Sequence, residues 1–338
     1  MRDTGKRNWP ELADEVGAIL RCPSCQGVLQ DEKGAVACPE CGSRFPFRNG
    51  VLCFVAAEHY AGSFGFQWLK HERTQLDNPS SRRSEIDFTR KTGLTGEDLA
   101  GKLVLDVGCG MGRYADVVSR WGARLVAVDL SVAVEAAARN LANRSNVTVI
   151  QADALALPFA PESFDYIYSL GVLHHTPNCE EAFKALTRLL KPGGGIAIWL
   201  YSASNRWYRM SDLYRKLTRR MPARLLYDIC YFAVPLYHVH TILKKIPLAG
   251  RRMSGALTYL LPMSFEPDAR WRWLDTFDWY SPRYQSKHTY EEVFRWFGDC
   301  GLEHVHAAAV PVSVRGTKPP QVEMAARDAE PEVARCAE

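Results

Sequence analysis

The chain has 338 residues, 47% of them hydrophobic, enough for about two domains and a sizeable buried core. Lys and Arg (42) exceed Asp and Glu (38) by only four, so bulk charge makes no case for a nucleic-acid partner and the local distribution must decide. Met1 to Trp9 is polar and lacks the apolar core of a signal peptide, and no run approaches the ~18 apolar residues of a membrane span. The expectation is a cytoplasmic protein with no transmembrane segment, where thiols stay reduced.

Taken from the front, Cys22, Cys25, Cys38 and Cys41 form two Cys-x-x-Cys pairs with twelve residues between them. Each pair can grip one metal from a tight turn, and four thiolates suit tetrahedral Zn²⁺ in a closed, structural site. Gly27 and Gly42 follow the pairs where positive φ is expected, and Gly34 marks a hairpin turn between them. A unit of about 57 residues cannot easily sustain its own core, so the metal would supply folding energy. The runs Ile19-Leu-Arg-Cys-Pro-Ser-Cys, Cys38-Pro-Glu-Cys-Gly and Phe45-Pro-Phe-Arg-Asn-Gly-Val-Leu resemble a zinc ribbon. The ribbon they resemble is that of the small activator subunit of tRNA and protein methyltransferases. The resemblance implies a docking or stabilising module.

Next, Glu58 to Asp77 reads as a helix carrying Tyr60, Phe64, Phe66 and Trp68, placed to lid a ligand site or to pack on the sheet. Strands are expected at Leu103–Val107, Arg124–Val128, Val147–Ile150, Phe164–Leu170 and Gly195–Tyr201. They alternate with helices at Arg113–Trp121, Ser131–Asn143 and Cys179–Leu190. This alternation predicts an α/β fold: a Rossmann-like, doubly wound, mostly parallel sheet. Thr289–Phe297 returns to helical period, and Val305–Val314, broken by Pro311, supplies a closing hairpin. The expected layout is a zinc ribbon over 1–57, a linker and lid region over 58–100, and a Rossmann-like domain over 101–201 and 285–316. A helical insertion over 202–284 caps the acceptor, and a disordered tail fills 317–338.

The first strand of the repeat runs into Asp106-Val-Gly108-Cys109-Gly110-Met-Gly112. Glycines at a strand-to-helix turn let a ligand approach the backbone, but dinucleotide sites share that feature. Asp106 tilts the balance. A carboxylate there repels a pyrophosphate and suits the ammonium of S-adenosylmethionine, whose sulfonium is also cationic. Asp129 ends the second strand 21 residues after Gly108, where a carboxylate accepts ribose hydroxyls. Asp153 follows the third strand, placed to accept from an adenine amino group with the Ala154 backbone nearby. The competing reading makes Asp129 and Asp153 helix caps or turn residues.

Val104-Leu-Asp-Val-Gly-Cys-Gly-Met-Gly, Leu125-Val-Ala-Val-Asp-Leu-Ser, Asp153-Ala-Leu-Ala-Leu-Pro-Phe, Leu173-His-His-Thr and Leu190-Lys-Pro-Gly-Gly-Gly follow in one order. Together they resemble the class I S-adenosylmethionine-dependent methyltransferases. The resemblance implies cofactor contacts at Asp106, Gly108, Cys109, Gly110, Gly112, Asp129, Leu130, Asp153, Ala154 and Leu170. Methyl transfer chiefly needs positioning, yet an oxygen or nitrogen nucleophile can need a base. His174 and His175 are the candidates, against a purely structural role. Tyr280 and Tyr284 fall where an acceptor pocket can form.

Between Arg206 and Arg252 eleven Lys or Arg stand against two Asp, interleaved with Trp207, Tyr208, Tyr214, Tyr227, Tyr231, Phe232 and Tyr237. Three partners suit that insertion. One is a small or lipid- or glycan-linked acceptor, methylated on O, N or C, with the basic helices resting peripherally on a membrane. The second is RNA, its phosphates tracked by cations and its bases stacked on aromatics. The third reading is a helical cap alone. An inactive methyltransferase-like zinc-ribbon adaptor is the remaining alternative.

Overall fold

The computed structural model describes residues 13–55, 59–204, 208–247 and 249–320. Four short strands, β1 (Gln30–Glu32), β2 (Ala35–Ala37), β3 (Arg44–Arg48) and β4 (Val51–Cys53), make an antiparallel meander. Five parallel strands follow: β5 (Leu103–Val107), β6 (Arg124–Asp129), β7 (Val147–Gln151), β8 (Phe164–Leu170) and β9 (Leu190–Trp199). A last antiparallel hairpin, β10 (Glu303–Ala307) and β11 (Ser313–Thr317), closes on β9 through β11.

The strands lie in the order β1-β2-β3-β4-β7-β6-β5-β8-β9-β11-β10. The chain winds outward from β5 through β6 to β7, then returns to β8 on the other side. That reversal makes the carboxyl end of β5 the switch point, where such sheets bind ligands. The expected Rossmann-like sheet is present.

Side chains of β5 alternate between two cores. Leu103, Leu105 and Val107 join Val126, Val128, Ile150 and Ile198, covered by Phe183 and Phe297 from the helices Cys179–Thr187 and Tyr290–Asp299. Val104 joins Leu125, Ala127 and Ala197, covered by Phe88 and Val118 from Arg83–Thr92 and Arg113–Arg120. Asp106 takes the second face, in register with Tyr168 of β8.

Three details differ from the sequence reading. The helix expected to reach Leu190 stops at Thr187, because Pro192 cannot continue it and Leu190 pairs with Phe164 instead. The lid helix is shorter, Gly62–Lys70. In the first cysteine turn Gln26 takes the positive φ, at 64°, whereas Gly42 carries it in the second, at 74°. Gly27 serves by lacking a side chain, since a Cβ there would sit 2.6 Å from the Glu40 carboxyl carbon.

The ribbon does not stand beside the sheet but continues it. β4 pairs parallel with β7, Leu52 beside Ile150 and Cys53 beside Gln151. Arg21 N–H donates to Pro158 O at 2.9 Å and Ala160 N–H to Ile19 O at 2.8 Å. Val16, Leu20, Phe45 and Leu52 pack into the core that holds Val126 and Ile150. The insertion is helical: Tyr208–Thr218, Ala223–Cys230, Ala233–Lys245, Ala249–Leu260 and Ala269–Tyr280. Arg206 and Trp207 lie outside the described residues. Thr317 belongs to β11, and Lys318 N–H still donates to Gly194 O at 2.8 Å. The rest of the expected tail, 321–338, lies outside the described residues.

Candidate active site

The loop after β5 is built from left-handed glycines: φ is 83° at Gly108, 55° at Gly110 and 91° at Gly112. The N–H groups of Gly108 and Cys109 donate to Val128 O at 2.7 and 2.9 Å, which ties the loop to the end of β6. A Cβ on Gly108 would meet the Val172 side chain at 2.2 Å. Gly108→Ala is therefore expected to cost about 2 kcal/mol or more, from strain and overlap together, read as a lower midpoint in urea denaturation.

A cavity of about 550 Å³ opens over this loop, within the range of small-ligand sites. Of the sequence's candidates, Gly108, Cys109, Gly110, Asp129, Leu130, Ala154, Leu170 and His175 line it. Asp106, Gly112, Asp153 and His174 do not. Gly112 instead caps the helix Arg113–Arg120, with its Cα edge against Leu141. Asp153 accepts from Leu155 N–H at 3.0 Å, as a turn residue does, and from Tyr60 Oη–H at 3.2 Å. Asp129 also does structural work: it accepts from Gly110 N–H at 2.9 Å and from Ser131 N–H at 2.8 Å.

Asp106 is 2% exposed and faces the Tyr168 hydroxyl, and its Oδ2 makes no hydrogen bond of ordinary geometry among the described residues. Burial pushes its carboxyl up to about 8, against a smaller opposing effect of the Tyr168 hydroxyl, and the nearby Asp129 adds to the rise. Burial likewise raises Asp129. Among the described residues no Lys or Arg acts on either acid, and such a pair favours a cationic ligand, the charge pattern a sulfonium amino acid satisfies. The loop, Asp129 and Asp106 thus fit that cofactor.

Residues 105–198 match the methyltransferase domain family. This stretch is a methyltransferase domain. The chain is 35% identical over 131 residues to a mouse protein named as a probable tRNA methyltransferase 9B, covering 37% of this chain and 28% of that one. It is 38% identical over 113 residues to the ubiquinone biosynthesis O-methyltransferase of Pseudomonas fluorescens, covering 32% and 47%. A solved S-adenosylmethionine-dependent methyltransferase from Mesorhizobium loti shares 26% identity over 38% of this chain and 56% of that one, with a TM-score of 0.32. The chain thus spans less than half the length of these two curated relatives.

The far end of the methyltransferase domain's cavity is walled by the lid and the insertion. Phe64 and Trp68 line it, one turn apart, and Trp68 overhangs Gly110. Phe66 turns the other way, onto Tyr227 and Phe277 of the insertion. His175 Nδ1 meets Tyr284 O at 3.0 Å, so Nδ1 carries the proton and Nε2 is left as the acceptor. Burial lowers its pKa, which keeps the ring neutral. His174 is fully buried between His175 and Tyr201, and neither ring nitrogen has a partner among the described residues. Tyr280 points into the insertion core and donates to Pro262 O at 2.8 Å, away from the cavity.

Several wall residues were not singled out in the sequence. Lys91 sits 2.9 Å from Asp87 and 3.7 Å from the centre of the Trp199 ring; burial brings it down to about 8 although Asp87 opposes this. Asp278 accepts from Gln67 Nε2 at 3.2 Å and Tyr201 Oη at 3.0 Å. Asp275 accepts from Ser264 Oγ at 3.2 Å, and burial pushes it up to about 8. The sequence signal for the last two is their three-residue spacing on one helix face, within a block, Asp275 to Tyr284, that resembles a segment late in many methyltransferases.

At the other edge of the sheet, the four Sγ atoms of Cys22, Cys25, Cys38 and Cys41 lie within 4.8 Å of one another. Cys22 and Cys41 are 3.5 Å apart, Cys25 and Cys38 3.4 Å, close to the spacing of thiolates around one tetrahedral ion. Gln26 N–H donates to Cys22 O and Gly42 N–H to Cys38 O, closing both turns.

Proposed function

We propose that the protein is an S-adenosylmethionine-dependent methyltransferase whose acceptor is a small or lipid- or glycan-linked molecule, and that its ribbon holds one structural Zn²⁺. The observation that carries the cofactor is the buried, unpartnered Oδ2 of Asp106 beneath the glycine loop. The same feature argues against an inactive adaptor, since a buried carboxyl oxygen left without a partner is costly unless a ligand uses it.

When bound, the cofactor supplies an electrophilic methyl on a positive sulfur. The chain's own residues do the rest. Asp129 is placed for the ribose and the glycine loop for close backbone approach. Phe64 and Trp68 exclude water over the site, which strengthens every interaction inside. The acceptor faces Asp278, Asp275 and the Gln67 amide, a wall rich in hydrogen-bond acceptors that suits a hydroxyl or amine nucleophile. His175, neutral and with Nε2 available, is the group that takes the proton. A cavity bounded by lid and insertion favours a small acceptor over an RNA base, which would have to be flipped out to enter.

His175→Gln is expected to lower turnover by about a hundredfold while leaving cofactor affinity within a factor of about two. Radiolabelled methyl transfer into lipid, small-molecule and RNA fractions reads the rate and the acceptor class together. Full turnover in this variant would remove His175 as the base, and label confined to RNA would replace the small-acceptor reading.

A further inference from the structure

The helical hairpin Ala233–Lys245 and Ala249–Leu260 has its polarity inverted. Between the two helices lie small and polar side chains: Gly250, Ser254 and Thr258, one turn apart, with His240 Nδ1 and Ser254 Oγ 2.7 Å apart across the pair. A Cβ on Gly250 would sit 2.2 Å from Leu243 O, so the chain approaches itself closely at the bend. The outward faces carry the large apolar side chains instead. Val239, Ile242 and Ile246 fall on one stripe, Met253 and Leu260 on the other; Ile242 is 60% exposed and Met253 57%. A water-soluble hairpin buries the second set and exposes the first. Small residues at the helix contact with apolar residues outside is the arrangement that packs helices in lipid.

The pattern is local. Among the described residues, thirteen of the eighteen large hydrophobic side chains left exposed lie between 213 and 265. At the hairpin's bend stand Lys244, Lys245, Arg251 and Arg252, all exposed and none with an acidic partner among the described residues. Helices of 13 and 12 residues are about 20 Å long, too short to cross a hydrocarbon core of about 30 Å. No helix among the described residues is long and apolar enough to cross a membrane.

We infer that this hairpin seats the protein on an anionic lipid surface, with Val239, Ile242, Ile246, Met253 and Leu260 in the acyl boundary and the four cations at the headgroups. Charge decides between lipid and a second copy of the chain. An apolar contact between two copies leaves these four cations without counter-charges, whereas anionic headgroups neutralise them. The inference deepens the proposed function and rests on it only for its purpose, which is to deliver a lipid-linked acceptor to the cavity beneath the insertion.

The test is flotation of the full, zinc-loaded chain with vesicles of phosphatidylcholine, with and without phosphatidylglycerol. Wild type is expected to float with the mixed vesicles. Ile242→Glu with Met253→Glu, both on the exposed face, is expected to bind at least about tenfold more weakly. Each of Lys244→Gln, Lys245→Gln, Arg251→Gln and Arg252→Gln is expected to cost roughly fivefold on mixed vesicles. Wild type remaining unbound, or the double variant binding equally, overturns the inference. So does a concentration-dependent dimer in sedimentation that the double variant breaks, which assigns the face to a second copy. Cofactor titration of the same samples separates the two readings: intact cofactor binding without flotation removes the hairpin's role alone, and flotation without cofactor binding removes the methyltransferase reading alone.

Discussion

Asp106→Asn is expected to weaken S-adenosylmethionine binding by about a hundredfold and at the same time to stabilise the cofactor-free protein at alkaline pH. The first effect follows from removing one partner of a buried charge pair. The second follows from linkage. Burial raises the Asp106 carboxyl from an ordinary 3.8 to about 8 in the folded chain. A group raised on folding contributes stability that is complete below the unfolded value and is lost as pH climbs through the folded one. Cofactor-free wild type should therefore lose stability between about pH 4 and 8 relative to Asp106→Asn, which has no proton to lose there. Cofactor affinity should run the opposite way, rising towards pH 8 as the carboxylate forms, with one proton released per cofactor bound. Thermal denaturation across pH and calorimetry in buffers of different ionisation enthalpy read both slopes. A variant that binds as tightly as wild type would mean that Asp106 faces no cation.

Cys38→Ser, or removal of the metal by a chelator, is expected to unfold the ribbon and to weaken cofactor binding at a distance. Binding of Zn²⁺ to such sites is worth about 10–16 kcal/mol at neutral pH, more than a ribbon of short strands supplies itself. β4 is a neighbour of β7, and β7 delivers Ala152 and Ala154 to the cavity wall. Loss of the ribbon strips β7 of its partner, leaves Leu20 and Phe45 without their core, and exposes an open sheet edge prone to association. The expected readings are release of one Zn²⁺ per chain, a lower melting temperature, and a cofactor affinity reduced about tenfold, an effect carried through β7. Unchanged melting after complete metal removal would show that strand pairing alone holds the ribbon.

Much of this was legible in the sequence because it rests on local chemistry. The spacing of two Cys-x-x-Cys pairs predicts one cluster, and the four Sγ atoms converge; the glycine loop declares its turn by needing positive φ. The apolar runs of β5 and β6 had to be buried strands. What was not legible depends on three-dimensional neighbours. Nothing in Val51-Leu-Cys said that this strand would pair with Val147–Gln151, because edge-to-edge pairing is set by register in space. Nothing in the sequence singles out Lys91, and only the fold brings it over the Trp199 ring. His174 and His175 were indistinguishable in sequence, and one residue of rotation puts one ring in the cavity wall and the other behind it. In sequence the insertion's aromatics suit a partner-binding surface or a helical core alike. In the fold Tyr227 packs into a core while Ile242 and Met253, not singled out, face outward.

In the proposed complex a cationic cofactor sits on the glycine loop beside Asp106 and Asp129. Calorimetric titration of S-adenosylmethionine into the zinc-loaded chain tests it most directly. One site per chain is expected, with weaker binding in Asp129→Ala and in Asp106→Asn; no heat of binding from wild type at millimolar cofactor would contradict it.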